Sequence, residues 1–310
     1  MFEESNFLFG SFFIWWYNGI ITFIQILYQI KFSYFLKVIK ERNSMEKLQL
    51  IEMINKNPNA ILSINNPTDE MKLVAVKKNG LLLEYIDNPT REMQELALEN
   101  NAHSIKFIEN PTEDMMIKAI NNAWINLEYI TNPTDKVIKL AINQAGWAIK
   151  YVNNPSEELQ LLAVRKNYDA IKFIKEPYES VQEEAVKISY EALRFISSPT
   201  YNAELIAVKN NEGAIKFIKN LDKKKMIEFL KVNILVINYI MKEITKDELE
   251  EVLKEVLSRE DIEEKFVRDY LNFHTIDHSD MSDMDKINFI YKFGSKKAKR
   301  ITVDEKLKMI

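Results

Sequence analysis

The stretch from Pro155 to Pro177 reads PSEELQLLAVRKNYDAIKFIKEP, and its outline recurs along the chain at a fixed interval. Pro67, Pro89, Pro111, Pro133, Pro155, Pro177 and Pro199 stand 22 residues apart, and only Pro58 lies outside the series. Eight residues after each proline comes an alanine (Ala75, Ala97, Ala119, Ala141, Ala163, Ala185, Ala207), followed by an aliphatic residue. Eighteen residues after the proline comes a ring: Tyr85, Phe107, Tyr129, Tyr151, Phe173, Phe195, Phe217. A β-branched residue follows every ring. Self-similarity at a short fixed period is the signature of stacked repeats, each a supersecondary unit that buries its apolar side against its neighbours.

One unit reads as two short helices. The Asn-Pro-Thr steps at Asn66, Asn88, Asn110 and Asn132 read as helix starts, with Asn as cap and Pro in the first helical position, where its missing N–H costs nothing. The helix is expected to stop near Asn79, Asn101 or Asn167, since Asn tolerates a left-handed turn. A second helix carries Ala-Ile-Lys-Phe-Ile at 170–174 and again at 214–218. The alanine reads as a point of close helix approach, so Ala141→Leu is expected to cost about 1–3 kcal/mol. The ring reads as the main core anchor, so Phe173→Ala is expected to cost about 3–5 kcal/mol. Helices this short are marginal alone, so stacking must stabilise them. The expected fold is all-α: an α-solenoid of about eight two-helix repeats with a helical C-terminal cap.

The register decays at both ends. The array is expected over 45–242, with 45–66 and 221–242 as degenerate units and 243–273 as an amphipathic helical cap. Residues 274–310 read as an acidic loop, a short helix and a basic tail (Lys296, Lys297, Lys299, Arg300). Residues 1–44 differ in composition: 5–30 carry no charge, and Lys31, Lys37, Lys40 and Arg42 follow. Such a stretch is long enough to span a bilayer, with the basic side in the cytoplasm. The segment therefore reads as a membrane anchor, as a packed N-terminal helix, or as translation from a start upstream of Met45. The expected location is the cytoplasm, or the inner membrane with the repeats on its cytoplasmic side.

The chemistry on offer is sparse. The formal net charge is −4, there is no cysteine, and there are three histidines and six glycines. Duplex DNA binding through phosphate neutralisation is disfavoured, thiol nucleophiles are excluded, and no phosphate-cradling glycine pattern occurs. His274 and His278 with Asp277, Asp280, Asp283 and Asp285 read either as a metal-binding group or as a solvated acidic loop, the latter preferred. No catalytic residue, cofactor or metal is assigned. The turn between the paired helices varies from unit to unit and places His103, Trp124, Trp147, Tyr168 and Tyr190 along one edge. Aromatic residues at variable positions of a regular scaffold suit recognition; the alternative is that each ring packs over the next repeat.

The run from Ala163 to Pro177, with its echoes between 67 and 220, resembles an uncharacterised family of short helical-repeat proteins found in bacteria and their phages. It is also similar in plan to HEAT, armadillo and tetratricopeptide solenoids, though its repeat is shorter. The resemblance implies architecture and carries over no functional residue. The expected function is a non-enzymatic scaffold that binds a protein or peptide. The alternative is single-stranded nucleic acid gripped along the aromatic edge.

Overall fold

The computed structural model describes the backbone of residues 3–273 and 283–308, and the side chains of residues 27–273 and 285–308. Among the described residues there is no strand. The chain divides into two compact units, residues 1–111 and 112–310. The first contains α1 (Glu3–Lys56), η1 (Pro58–Ser63), α2 (Asp69–Lys78), η2 (Gly80–Tyr85), α3 (Arg91–Asn100) and η3 (Ala102–Phe107). The second continues the alternation with α4 (Glu113–Asn122), η4 (Trp124–Tyr129), α5 (Asp135–Gln144), η5 (Gly146–Tyr151), α6 (Glu157–Lys166) and η6 (Tyr168–Phe173). Then come α7 (Glu179–Ile188), η7 (Tyr190–Phe195), α8 (Tyr201–Asn210), η8 (Glu212–Phe217), α9 (Lys223–Val232), η9 (Ile234–Val236) and α10 (Ile237–Ile240). A cap of α11 (Lys246–Leu257), α12 (Glu264–Asn272), α13 (Asp283–Phe293) and α14 (Lys296–Leu307) follows. The architecture is an all-α repeat solenoid.

The helix starts differ from the expectation. Thr68, Thr90, Thr112, Thr134, Ser156 and Thr200 are the caps, each hydroxyl accepting the N–H three residues on. The proline precedes the cap, and Asn66, Asn88 and Asn154 turn the chain with φ of 54°, 48° and 49°. A short hydroxyl is well placed to reach the orphan N–H of the first turn, while Asn takes the left-handed conformation that longer side chains avoid. The helix ends differ too. Asn79, Asn101 and Asn167 are extended, with φ of −144°, −147° and −146°. The Asn79 and Asn101 carboxamide oxygens accept the N–H groups of Leu81 and His103, so they cap the next element.

That next element is a six-residue 3₁₀ helix rather than an α-helix. With three residues per turn, side chains three apart eclipse into columns. One column points inward: Leu83 with Ile86, Ile105 with Ile108, Leu193 with Ile196. A second exposes the lysines Lys106, Lys150, Lys172 and Lys216. The third begins on a buried small residue, such as Ala148, Ala170 or Ala192, and ends on the ring. Each α-helix buries its repeat alanine fully, from Ala75 to Ala207, together with the following aliphatic residue. In α9 Phe229 fills the alanine position, buried and stacked on Tyr201 with ring centroids 6.4 Å apart.

Polar side chains bind one repeat to the next. Asn100 donates to the Lys77 and Lys78 carbonyls at 3.3 and 3.2 Å and accepts the Gly80 N–H at 2.8 Å. Buried Gln160 donates to the Pro155 carbonyl at 3.1 Å and accepts the Tyr178 N–H at 3.3 Å. Gln182 repeats this with Pro177 and Thr200, at 3.1 and 2.9 Å. Glu204 holds the equivalent position and instead receives the Lys225 ammonium at 2.6 Å.

The basic run expected as a tail lies in α14, where Ala298, Ile301 and Thr302 are buried and the Ser295 hydroxyl caps the helix. The uneven charge pattern hides the apolar side that docks it. Buried Lys286 donates to the Leu271 and Phe273 carbonyls at the end of α12, where a cation suits the helix dipole. Among the described residues no helix is long and apolar enough to cross a membrane. Most of the apolar stretch behind the anchor expectation, residues 5–26, lies outside the described side chains, and the His274–Asp280 loop lies outside the described residues altogether.

Candidate partner-binding edge

Within residues 112–310, the four expected aromatic residues occupy the starts of consecutive 3₁₀ helices and reach into the following repeat. The Trp124 ring lies 6.3 Å from that of Tyr151. Tyr190 stacks on Phe217 at 6.2 Å with 26° between planes. The Trp147 indole N–H donates to Asp169 at 2.8 Å, and the Tyr168 hydroxyl donates to Glu191 at 3.1 Å. Trp147 remains 38% exposed; Trp124, Tyr168 and Tyr190 are half-buried. His103 belongs to the other unit, in η3, with its backbone N–H donated to Asn101 at 2.9 Å. Burial pushes the Asp169 carboxyl up, but the Lys172 ammonium and the Trp147 N–H outweigh it and hold the group below its ordinary range.

The repeat ring corrects the expectation of a core anchor. Tyr85, Tyr129, Phe173, Phe195 and Tyr239 are all exposed, Phe173 at 39%. The ring ends the third 3₁₀ column, where the helix meets solvent, and the inward column supplies the apolar anchor instead. Cations lie against the rings from Tyr151 to Tyr239. The Lys150 ammonium sits 4.5 Å from the Tyr151 centroid. Lys172 lies between Phe173 and Phe195, at 5.1 and 5.7 Å. Arg194 lies between Phe195 and Phe217, at 5.9 and 5.6 Å, and Lys216 stands 5.1 Å from Tyr239. From η5 to α10 the edge therefore alternates flat apolar faces with positive charge, and each cation from Lys172 onward reaches the ring of the next repeat.

Each such contact is worth roughly 0.5–1 kcal/mol at an exposed site. The arrangement sets partly exposed rings beside cations along one edge. Carboxylates border the same edge: Tyr151 donates to Glu128 at 3.0 Å, and Lys172 pairs with Asp169 at 2.8 Å. Reading by residue type missed the ring column, because an aromatic at a strict period looks like core. The signal was one position upstream, where Lys106, Lys150, Lys172, Arg194 and Lys216 precede the ring; a charge that close to each ring keeps its neighbourhood wet. Among the described residues no group of three or more metal-ligating side chains converges. Compared with known proteins, the chain matches no family model, no curated protein and no solved structure.

Proposed function

We propose that the chain is a non-enzymatic repeat scaffold that binds a protein or peptide along the ring-and-cation edge of residues 147–239. One observation carries this reading: every repeat keeps an aromatic residue at a position that is exposed or half-buried, never buried. Core packing does not ask for a ring there. Exposed aromatic residues flanked by cations form a surface from which a partner with apolar and acidic side chains gains much on docking. The scaffold acts in the cytoplasm, free or held at the inner membrane by its N-terminal segment.

A second reading rests on the same alternation, since ring faces and cations also serve bases and phosphates of single-stranded nucleic acid. Glu128, Asp169 and Glu191 on this edge weigh against it, because they repel phosphate. The test is affinity capture by the full chain, with and without nuclease, comparing wild type with Phe173→Ser/Phe195→Ser. A protein captured regardless of nuclease and lost in the variant supports the proposal. Capture that nuclease abolishes favours the second reading, and equal capture by both chains refutes both.

A further inference from the structure

Helix α1 has two contrasting parts. Near its end it belongs to the fold: Ile54 is fully buried, Leu50 and Ile51 pack against the cluster of Met71, Ala75 and Leu82, and Lys47 pairs with Glu70 at 2.5 Å. Between residues 27 and 44 every side chain is exposed. Tyr28 is 75% exposed, and Phe32 and Phe35 are more than half exposed. So much apolar area left open on one helix requires a cover.

The order of residues says what kind. At about 100° per residue, the apolar side chains are centred on Leu27, Phe35 and Val38 and, with Ile30 and Leu36 at the borders, cover about two-thirds of the circumference. Gln29, Ser33, Lys37, Lys40 and Ser44 fall on the opposite side. Four cations, Lys31, Lys37, Lys40 and Arg42, stand against Glu41 and Glu46, the latter paired with Arg42 at 3.5 Å. Lys31 and Arg42 project from the apolar side. A second copy of the helix packed there would bury like charges against each other, whereas in a bilayer their long stems lie along the acyl boundary and the charges reach the phosphates. Tyr and Phe over the broad apolar side, with Lys37 and Lys40 on the polar strip, are the composition of a surface-seeking helix. The residues before it, 5–26, carry no charge.

We propose that residues 27–42 form a docking surface for an anionic lipid bilayer, with the Leu27–Phe35–Ile39 side set into the headgroup boundary. Because α1 runs unbroken to Lys56, this contact fixes the lipid surface directly to the first repeat. The inference is independent of the ring-and-cation edge, which lies in the other unit.

The absence of cysteine allows a clean test. Phe35→Cys and Ser33→Cys, about 160° apart on the helix, are made separately in the full chain and labelled with an environment-sensitive fluorophore. Each is titrated with phosphatidylcholine vesicles, with and without phosphatidylglycerol. The label at 35 is expected to enter an apolar environment on phosphatidylglycerol vesicles while the label at 33 stays wet. Adding Lys37→Gln/Lys40→Gln should raise the lipid needed for half-maximal signal by roughly 30-fold, from the loss of two cations near the surface. Equal responses at 33 and 35, equal responses on neutral and anionic vesicles, or no response overturns the proposal. An apolar signal at 35 before lipid is added, in a chain that sediments as a dimer, also overturns it, in favour of a second copy. Partner capture through Phe173 and Phe195 is measured on the same preparations, so failure of one reading is visible apart from the other.

Discussion

Removing the Lys225 ammonium should destabilise the second unit far more than an ordinary surface lysine would, and a glutamine should repair it. The Glu204 side chain is 4% exposed and that of Lys225 25%, and their atoms are 2.6 Å apart. Deleting one partner of a buried ion pair costs about 3–5 kcal/mol, mostly from the stranded charge. Because Lys225 is partly open to water, the low end applies, so Lys225→Ala should cost ~3 kcal/mol. Glu204→Gln should stay within ~1 kcal/mol of wild type, since an amide there can act as Gln182 does, donating to the Pro199 carbonyl and accepting the Asp222 N–H. With Gln at 204 the lysine is no longer needed, so the double variant should also fall within ~1 kcal/mol, leaving a coupling of ~2–3 kcal/mol. Urea denaturation followed by circular dichroism gives the ledger, and hydrogen exchange across α8 and α9 localises it. A Lys225→Ala cost below ~1 kcal/mol, or a double variant no better than Lys225→Ala, would refute the reasoning.

The inverted roles of the two outer apolar positions predict that Ile171→Ala costs about 2–5 kcal/mol and Phe173→Ala only about 1–2 kcal/mol; chemical denaturation ranks them. Gly146→Ala would set its Cβ 2.2 Å from the Ala163 carbonyl oxygen, whereas at Gly213 the nearest atom is the Asn211 side-chain oxygen at 2.9 Å. Thermal melts should therefore show Gly146→Ala lowered, by about 1–3 kcal/mol of stability, and Gly213→Ala nearly unchanged. Glu248 is held down to about 2 by the Lys223 ammonium first, then by the Thr245 backbone N–H of its capping box. A depressed folded pKa stabilises the fold above the ordinary glutamate value of ~4.3, and this contribution is lost as pH falls towards 2. Denaturation of wild type and Glu248→Gln should accordingly differ at pH 7 and converge near pH 2.

The period and the buried alanines were legible because they follow from packing: only a small side chain fits where Ala141 and Ala163 meet their neighbours, and nothing local competes with that constraint. The caps were less legible. In Asn66-Pro67-Thr68 both Asn and Thr are competent caps, and the choice turns on the left-handed φ of Asn66, which sequence does not display. The 3₁₀ geometry was hidden for a related reason. Over six residues, Ile171 and Ile174 satisfy a period of three and of 3.6 alike, yet the two periods send Phe173 to different surroundings. Trp124, Trp147, Tyr168 and Tyr190 stood out because they vary on a regular frame. Their reach to Tyr151, Asp169, Glu191 and Phe217 depends on the distance between repeats, which one unit's sequence does not encode.

The three-residue turn of the outer helices also governs how this array is able to change over generations. Losing one residue inside an outer turn rotates everything after it by about 120°, which would carry the Lys172 position into the apolar column and Ile174 out of it; gaining one would carry Lys172 into the ring column and Ile174 again out of the apolar one. Losing or gaining 22 residues leaves every column aligned and every Asn and Gln clamp facing an equivalent partner. The length of such a protein is thus free to drift in whole units while remaining rigid against single steps, and each added unit would lengthen the exposed edge by one ring and one cation.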